Sequence, residues 1–167
     1  PDYVSPPETM YHATFSGKQI REQGFKSGDE VGQHTLGGTA SHTVSFTTKQ
    51  NAEIYRDGLS TARSAAKGEM TDDQMVSAAV KFGVSEDQAK KLLRDIGPKG
   101  HGFEFFQLVS MKGKQFPLFM GGSWPSFLAT APEPEVLAVR SADVMDVYYN
   151  PGEKEWRIAD YKKLKAV

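Results

Sequence analysis

The feature that most constrains the fold is a change of composition in mid-chain. From Ser60 to Ile96 the residues are those of helices, whereas the segments on either side carry strand chemistry. Two starts mark the helical block. Thr71-Asp72-Asp73-Gln74 and Ser85-Glu86-Asp87-Gln88 each place a hydroxyl N-cap three residues before a Gln, the pattern of a capping box. A helical hairpin follows, broken at Gly83, packing through Met75, Val76, Ala79, Val80, Ala89, Leu92 and Leu93, and closed by Gly97-Pro98.

The flanking segments are shorter and more polar. Pro1 to Pro7 is an entry arm, and Met10 to Thr14 a short strand. Ser16 is placed to cap a helix over Gly17–Gln23 with Ile20 inward and Gly24 as its stop. Phe25 to Ser41 is a long Gly-, Ser- and Thr-rich loop, a kind that is usually functional or mobile. Thr43 to Thr47 has the β-branched and aromatic residues of a strand, and Lys49 to Asp57 suits a helix. Beyond the insert, strands are predicted over Phe103–Met111, Gln115–Met120, Glu135–Val139 and Val144–Tyr149, with a last one over Trp156–Ala159. The class is α+β: an N-terminal strand–helix unit, an α-helical insert at about 60–96, and a β-rich second half, in one domain spanning 1–167.

Composition excludes several functions. Twenty Lys+Arg against twenty-one Asp+Glu give no electrostatic reason to expect nucleic acid or an anionic membrane as the principal partner. The absence of cysteine removes thiol catalysis, disulfides and Cys-ligated metals, and four scattered histidines without metal-ligand spacing suggest no metal site. No apolar run reaches the length of a membrane span. A start at Pro1 suggests an excised domain or a processed chain.

Three polar clusters border predicted strands. The first is Tyr11-His12-Ala13-Thr14, where the imidazole can bond a ribose or phosphate, or simply order nearby backbone. The second is Ser45-Phe46-Thr47-Thr48 with Tyr55 after it. Its hydroxyls can orient a carboxylate and its rings can sandwich a flat heterocycle; equally, Thr47 or Thr48 can cap a helix and Phe46 and Tyr55 fill a core. The third is Glu133-Pro134-Glu135-Val136-Leu137. Two carboxylates at i and i+2 share a face if both are extended, and can divide charge stabilisation from proton abstraction. A solvated acidic turn before a strand is the plain alternative.

In this order the clusters resemble mono-ADP-ribosyltransferase domains. Tyr11-His12-x-Thr14 followed by a helix ending at Gly24-Phe25 resembles the opening of the diphtheria-type enzymes. Ser45-Phe46-Thr47-Thr48 before Asn51-Ala52-Glu53-Ile54-Tyr55 resembles their next segment. Glu133-x-Glu135-Val136-Leu137 is similar to the E-x-E signature of the cholera-type, arginine-specific branch. Phe103–Lys112 is similar to that family's preceding central strand, and Val144–Tyr149 to the strand after the catalytic one. The helical insert lies outside the resemblance. The two branches are mixed here: the E-x-E branch usually opens with an arginine where this chain has His12, and the branch opening with His usually lacks the earlier glutamate.

The resemblance implies a β-sandwich core of the ADP-ribosyltransferase kind, NAD⁺ as substrate without a metal, and a protein or other macromolecular acceptor. It further implies that Glu135 binds the nicotinamide-ribose 2′-hydroxyl and faces the developing cation, with Ser45 or Thr47 holding it. His12, flanked by Tyr11 and Thr14, binds the adenosine side; Phe46 or Tyr55 stacks on nicotinamide; Glu133 acts on the acceptor. A bacterial toxin or effector, secreted or delivered into a target cell and matched by an immunity protein, is the implied setting; otherwise the chain is cytoplasmic. The competing readings are an NAD⁺ glycohydrolase, an RNA 2′-phosphotransferase, for which the arginines show no pattern, and a non-catalytic interaction module on a degenerate transferase fold.

Overall fold

The structure, a computed structural model, describes residues 5–27, 42–97, 102–112, 128–141 and 144–167. The chain divides into two compact units, Pro1–Glu53 with Pro134–Val167, and Ile54–Glu133. Strand pairing builds the first and helix packing the second, so the chain is a mixed α/β protein with small antiparallel sheets.

In the first unit β1 (Thr9–Thr14) pairs antiparallel with β3 (Glu135–Arg140), from Thr9 opposite Arg140 to Thr14 opposite Glu135. A second sheet has the order β2-β5-β4, from Val44–Phe46, Glu155–Ile158 and Val147–Asn150, again antiparallel. Two backbone hydrogen bonds between Tyr11 and Thr47, 2.9 and 2.8 Å, join β1 to β2. The chain end returns to β3, where the Val167 amide donates to the Ala138 carbonyl.

Side chains alternate along each strand, so Met10 falls on the same face as Leu137 and Val139. Val44, Phe46, Trp156 and Ile158 line one face of the other sheet, and the two sets form one core with Phe25, Tyr161 and Leu164. Truncating a fully buried side chain here, such as Leu137→Ala, removes about 2–5 kcal/mol. Tyr149 lies 5.3 Å from the ring of Trp156.

β4 begins at Val147, later than the expected Val144. The amides of Met145 and Asp146 donate to the Asp160 carboxylate, at 2.9 and 3.2 Å, and so do not enter the ladder. In the turn to β5, Asn150 Oδ1 accepts from the Gly152 and Glu153 amides. Lys154 takes a positive φ of 53° there.

Helix α1 (Gly17–Gln23) follows β1 and ends at Gly24, as predicted. Ser16 does not cap it; instead the Thr14 hydroxyl accepts from the Ser16 amide at 2.9 Å. Helix α2 (Lys49–Ala66) crosses the boundary between the units, merging the expected 49–57 helix with the start of the insert.

The second unit contains the predicted hairpin, α3 (Asp72–Lys81) and α4 (Glu86–Ile96), with Gly83 at φ 103° between them. Met75, Ala79, Phe82, Val84, Ala89 and Leu92 are buried there, while Val80, expected in the packing, is exposed. Phe103–Met111 is not a strand: Gly102–Lys112 forms helix α5. Phe105, Phe106 and Val109 are buried at helical spacing. An added Cβ at Gly102 would lie 3.0 Å from that of Ala65, so α5 starts hard against the end of α2. A short apolar run with aromatic residues reads as strand from composition alone, and helical packing decides otherwise here.

The strand expected over Gln115–Met120 and the part of the expected loop from Gly28 to Ser41 lie outside the described residues. No helix among the described residues is long and apolar enough to cross a membrane.

The two hairpin caps differ. Thr71 makes a complete capping box with Gln74, whereas Ser85 provides only its hydroxyl to the Gln88 amide. Thr71→Ala should therefore cost about 1 kcal/mol and Ser85→Ala somewhat less, read from urea melts followed by circular dichroism. A larger loss at Ser85 would contradict the assignment.

Candidate active site

His12 lies on the core face of β1, where the sheet face changes from apolar to polar. Along that face Met10 is followed by His12 and Thr14 on β1, and Val139 by Leu137 and Glu135 on β3. The imidazole ring packs at 5.6 Å from Phe25 and 5.5 Å from Phe46, and those two phenyl rings meet edge to face at 5.1 Å. His12 Nδ1 is 2.8 Å from the Ser45 carbonyl oxygen. A carbonyl only accepts, so Nδ1 carries the proton and donates. Removal from water pushes the imidazole pKa below its ordinary value, and the bond to Ser45 opposes this only in part. A neutral ring protonated at Nδ1 presents Nε2 as an acceptor. It is suited to a donating hydroxyl and poorly suited to a phosphate, and the bond to Ser45 is also what a histidine that orders nearby backbone makes.

Glu135 opens β3 directly opposite Thr14, diagonal to His12 on the same face, a separation of roughly 7–8 Å between Cα atoms in such a pair. Its carboxylate is ion-paired with the Arg21 guanidinium from α1, and both side chains remain about half exposed. The pair raises the Arg21 pKa further above its ordinary value. The carboxylate also rests against Gly17, where a Cβ would lie 2.9 Å from Glu135 Cγ and overlap the carboxyl group itself. Gly17 thus leaves room for the carboxylate, and Arg21, one helical turn on, holds it.

Ser45 does not hold Glu135. Its carbonyl fixes His12, and its hydroxyl bonds the carboxyl group of Glu155 on β5. Arg157, opposite Ser45 in the register, lies 3.4 Å from the same carboxylate. Burial pushes the Glu155 pKa above the ordinary carboxylate value, and Arg157 opposes the shift. Thr47 is buried and structural: its hydroxyl donates to the Lys154 carbonyl at 2.7 Å and accepts from Asn51 at 3.3 Å, tying β2 to the β4–β5 turn. Phe46 is fully buried in the core, and Tyr11 is half-buried beside the bridge to Thr47.

The remaining two candidates belong to the helical unit. Glu133 precedes β3 and so does not extend its face. Arg63 on α2 pairs with it at 2.6 Å and donates at 2.7 Å to the Ala131 carbonyl, while the Ser60 hydroxyl donates to its other oxygen at 3.2 Å. Tyr55 is half-buried on α2. The first unit therefore brings together His12, Thr14, Glu135, Ser45 and Phe46. To these it adds Phe25, Gly17, Arg21 and Glu155, which sequence reasoning did not select. Arg21 carried one available signal: its i+4 spacing from Gly17 on a helix directly following the His12 strand.

Comparison with models of protein families, with curated proteins and with solved structures yields no match.

The depressed His12 pKa has a consequence for stability. Between the folded value and the ordinary value near 6.5, the unfolded chain binds a proton that the folded chain refuses. Stability should then fall as pH drops below about 6.5 and level off beneath the folded pKa. Denaturant melts from about pH 7.5 to pH 5 should show a steeper decline for the native chain than for His12→Gln. Equal slopes would contradict a histidine held neutral by its surroundings.

Proposed function

We propose that this chain is a mono-ADP-ribosyltransferase that binds NAD⁺, breaks its nicotinamide–ribose bond and passes ADP-ribose to a protein acceptor, on a β-sandwich core of that family's kind. The observation that carries the proposal is the shared sheet face of His12 and Glu135, with Thr14 completing its polar end. It joins two of the segments on which the family resemblance rests.

Breaking the C1′–N bond leaves positive charge on the ribose, as glycoside hydrolysis does. Nicotinamide departs neutral and needs no general acid. The demand on the protein is a negative charge beside the ribose, a role given to Glu135, and placement of the nucleotide. His12, neutral and accepting through Nε2, suits a ribose hydroxyl, with Thr14 on the same face of β1 and Tyr11 on the other. Phe25 and Phe46 keep the imidazole in place. Glu133 is assigned to the acceptor, and a toxin or effector delivered to a target cell, with an immunity partner, remains the proposed setting.

A second reading, a non-catalytic interaction module, is favoured by one observation: Arg21 already neutralises Glu135. Nicotinamide release from NAD⁺ separates the two. Release that falls at least about 10²-fold in Glu135→Gln supports the enzyme, as expected for loss of one strong charge-stabilising group. No release from folded protein supports the module. Labelling that depends on added cell lysate distinguishes transfer from simple glycohydrolysis.

A further inference from the structure

The charge of Glu135 is already matched in the resting protein. Its carboxylate is enclosed on one side by Gly17, which leaves no room for a Cβ, and met on another by the Arg21 guanidinium. Gly17 and Arg21 belong to the same helix, α1, which follows β1 after two residues, so the seat and the counter-ion are delivered together. Both partners of the ion pair are half exposed. Exposed pairs of this kind are weak and exchange readily, since water and salt screen them and two long side chains must be held in one geometry.

We propose that Arg21 is a displaceable latch: it occupies the carboxylate of Glu135 in the resting protein, and a cationic ligand must replace it to reach that carboxylate. The inference rests on the reading of Glu135 as the carboxylate beside the nicotinamide–ribose bond of NAD⁺, within reach of the cationic nicotinamide, and it adds the element that sets affinity at that position. A latch of an exposed pair's strength lowers the apparent affinity of the incoming cation by roughly two- to sixfold and leaves later steps unchanged. The Arg21 side chain, already half exposed, returns to water when it leaves.

The probe is N1-methylnicotinamide, a cation of the same chemical class, titrated into the full chain and followed by NMR. Arg21→Gln should bind it roughly two- to sixfold tighter than the native chain. Lys18→Gln removes one charge from an exposed position of the same helix without touching Glu135 and should leave the affinity unchanged. Arg21→Lys, which keeps the charge but loses the planar fork, should fall between. In NAD⁺ turnover, Arg21→Gln should lower KM by the same factor and preserve kcat.

Equal tightening in Lys18→Gln would show a general charge effect and overturn the latch. Weaker binding in Arg21→Gln would make Arg21 a ligand contact instead, and failure of every form to bind the probe would also overturn it. Tighter probe binding in Arg21→Gln, with no nicotinamide release by any form, would keep the latch and defeat the transferase reading.

Discussion

The first unit depends on one pairing, β1 with β3, between segments from opposite ends of the chain. Six consecutive residue pairs fix its register, from Thr9–Arg140 to Thr14–Glu135. A slip of one residue would turn Leu137 and Val139 out of the core and carry Glu135 to the opposite face from His12. The core and the candidate site are thus specified by the same ladder. The Tyr11–Thr47 bridge then brings the Ser45 carbonyl to His12, and Phe46 against its ring. Helix α1, following β1 directly, brings Gly17 and Arg21 to Glu135.

Electrostatics on this scaffold sort the polar residues by environment. His12 is kept neutral because its surroundings exclude water more effectively than the Ser45 carbonyl rewards a charge. Glu155 meets the same pressure with the opposite consequence, a raised carboxyl pKa, and Arg157 and Ser45 only partly compensate. Glu135 stands half exposed against a cation. Glu133, two residues away in sequence, is tied to a different framework through Arg63 and Ser60.

Much of this was legible locally. The Met10–Thr14 strand, the Gly17–Gln23 helix, both hairpin starts and the strand beginning at Glu135 follow from turn residues, caps and period-two patterning. Where the sequence misled, a non-local contact decided. Phe103–Lys112 carries a strand-like run of aromatics, yet burial of Phe105, Phe106 and Val109 and the close approach of Gly102 to Ala65 make it a helix. Val144–Asp146 looked like strand until Asp160 claimed two of its amides. The order of the segments makes Ser45 a partner for Glu135, but its neighbour on the sheet is β5, so Glu155 receives its hydroxyl. The Arg21–Glu135 pair joins residues with 113 others between them, and no local pattern announces such a contact.

The most direct test of the site is the imidazole nitrogen spectrum of His12 with and without NAD⁺, assigned through His12→Gln. The expected spectrum near neutral pH is that of a neutral ring protonated at Nδ1, whose Nε2 resonance moves on addition of NAD⁺. A ring protonated at Nε2, or an Nε2 resonance indifferent to saturating NAD⁺, would contradict the assignment of this sheet face to the nucleotide.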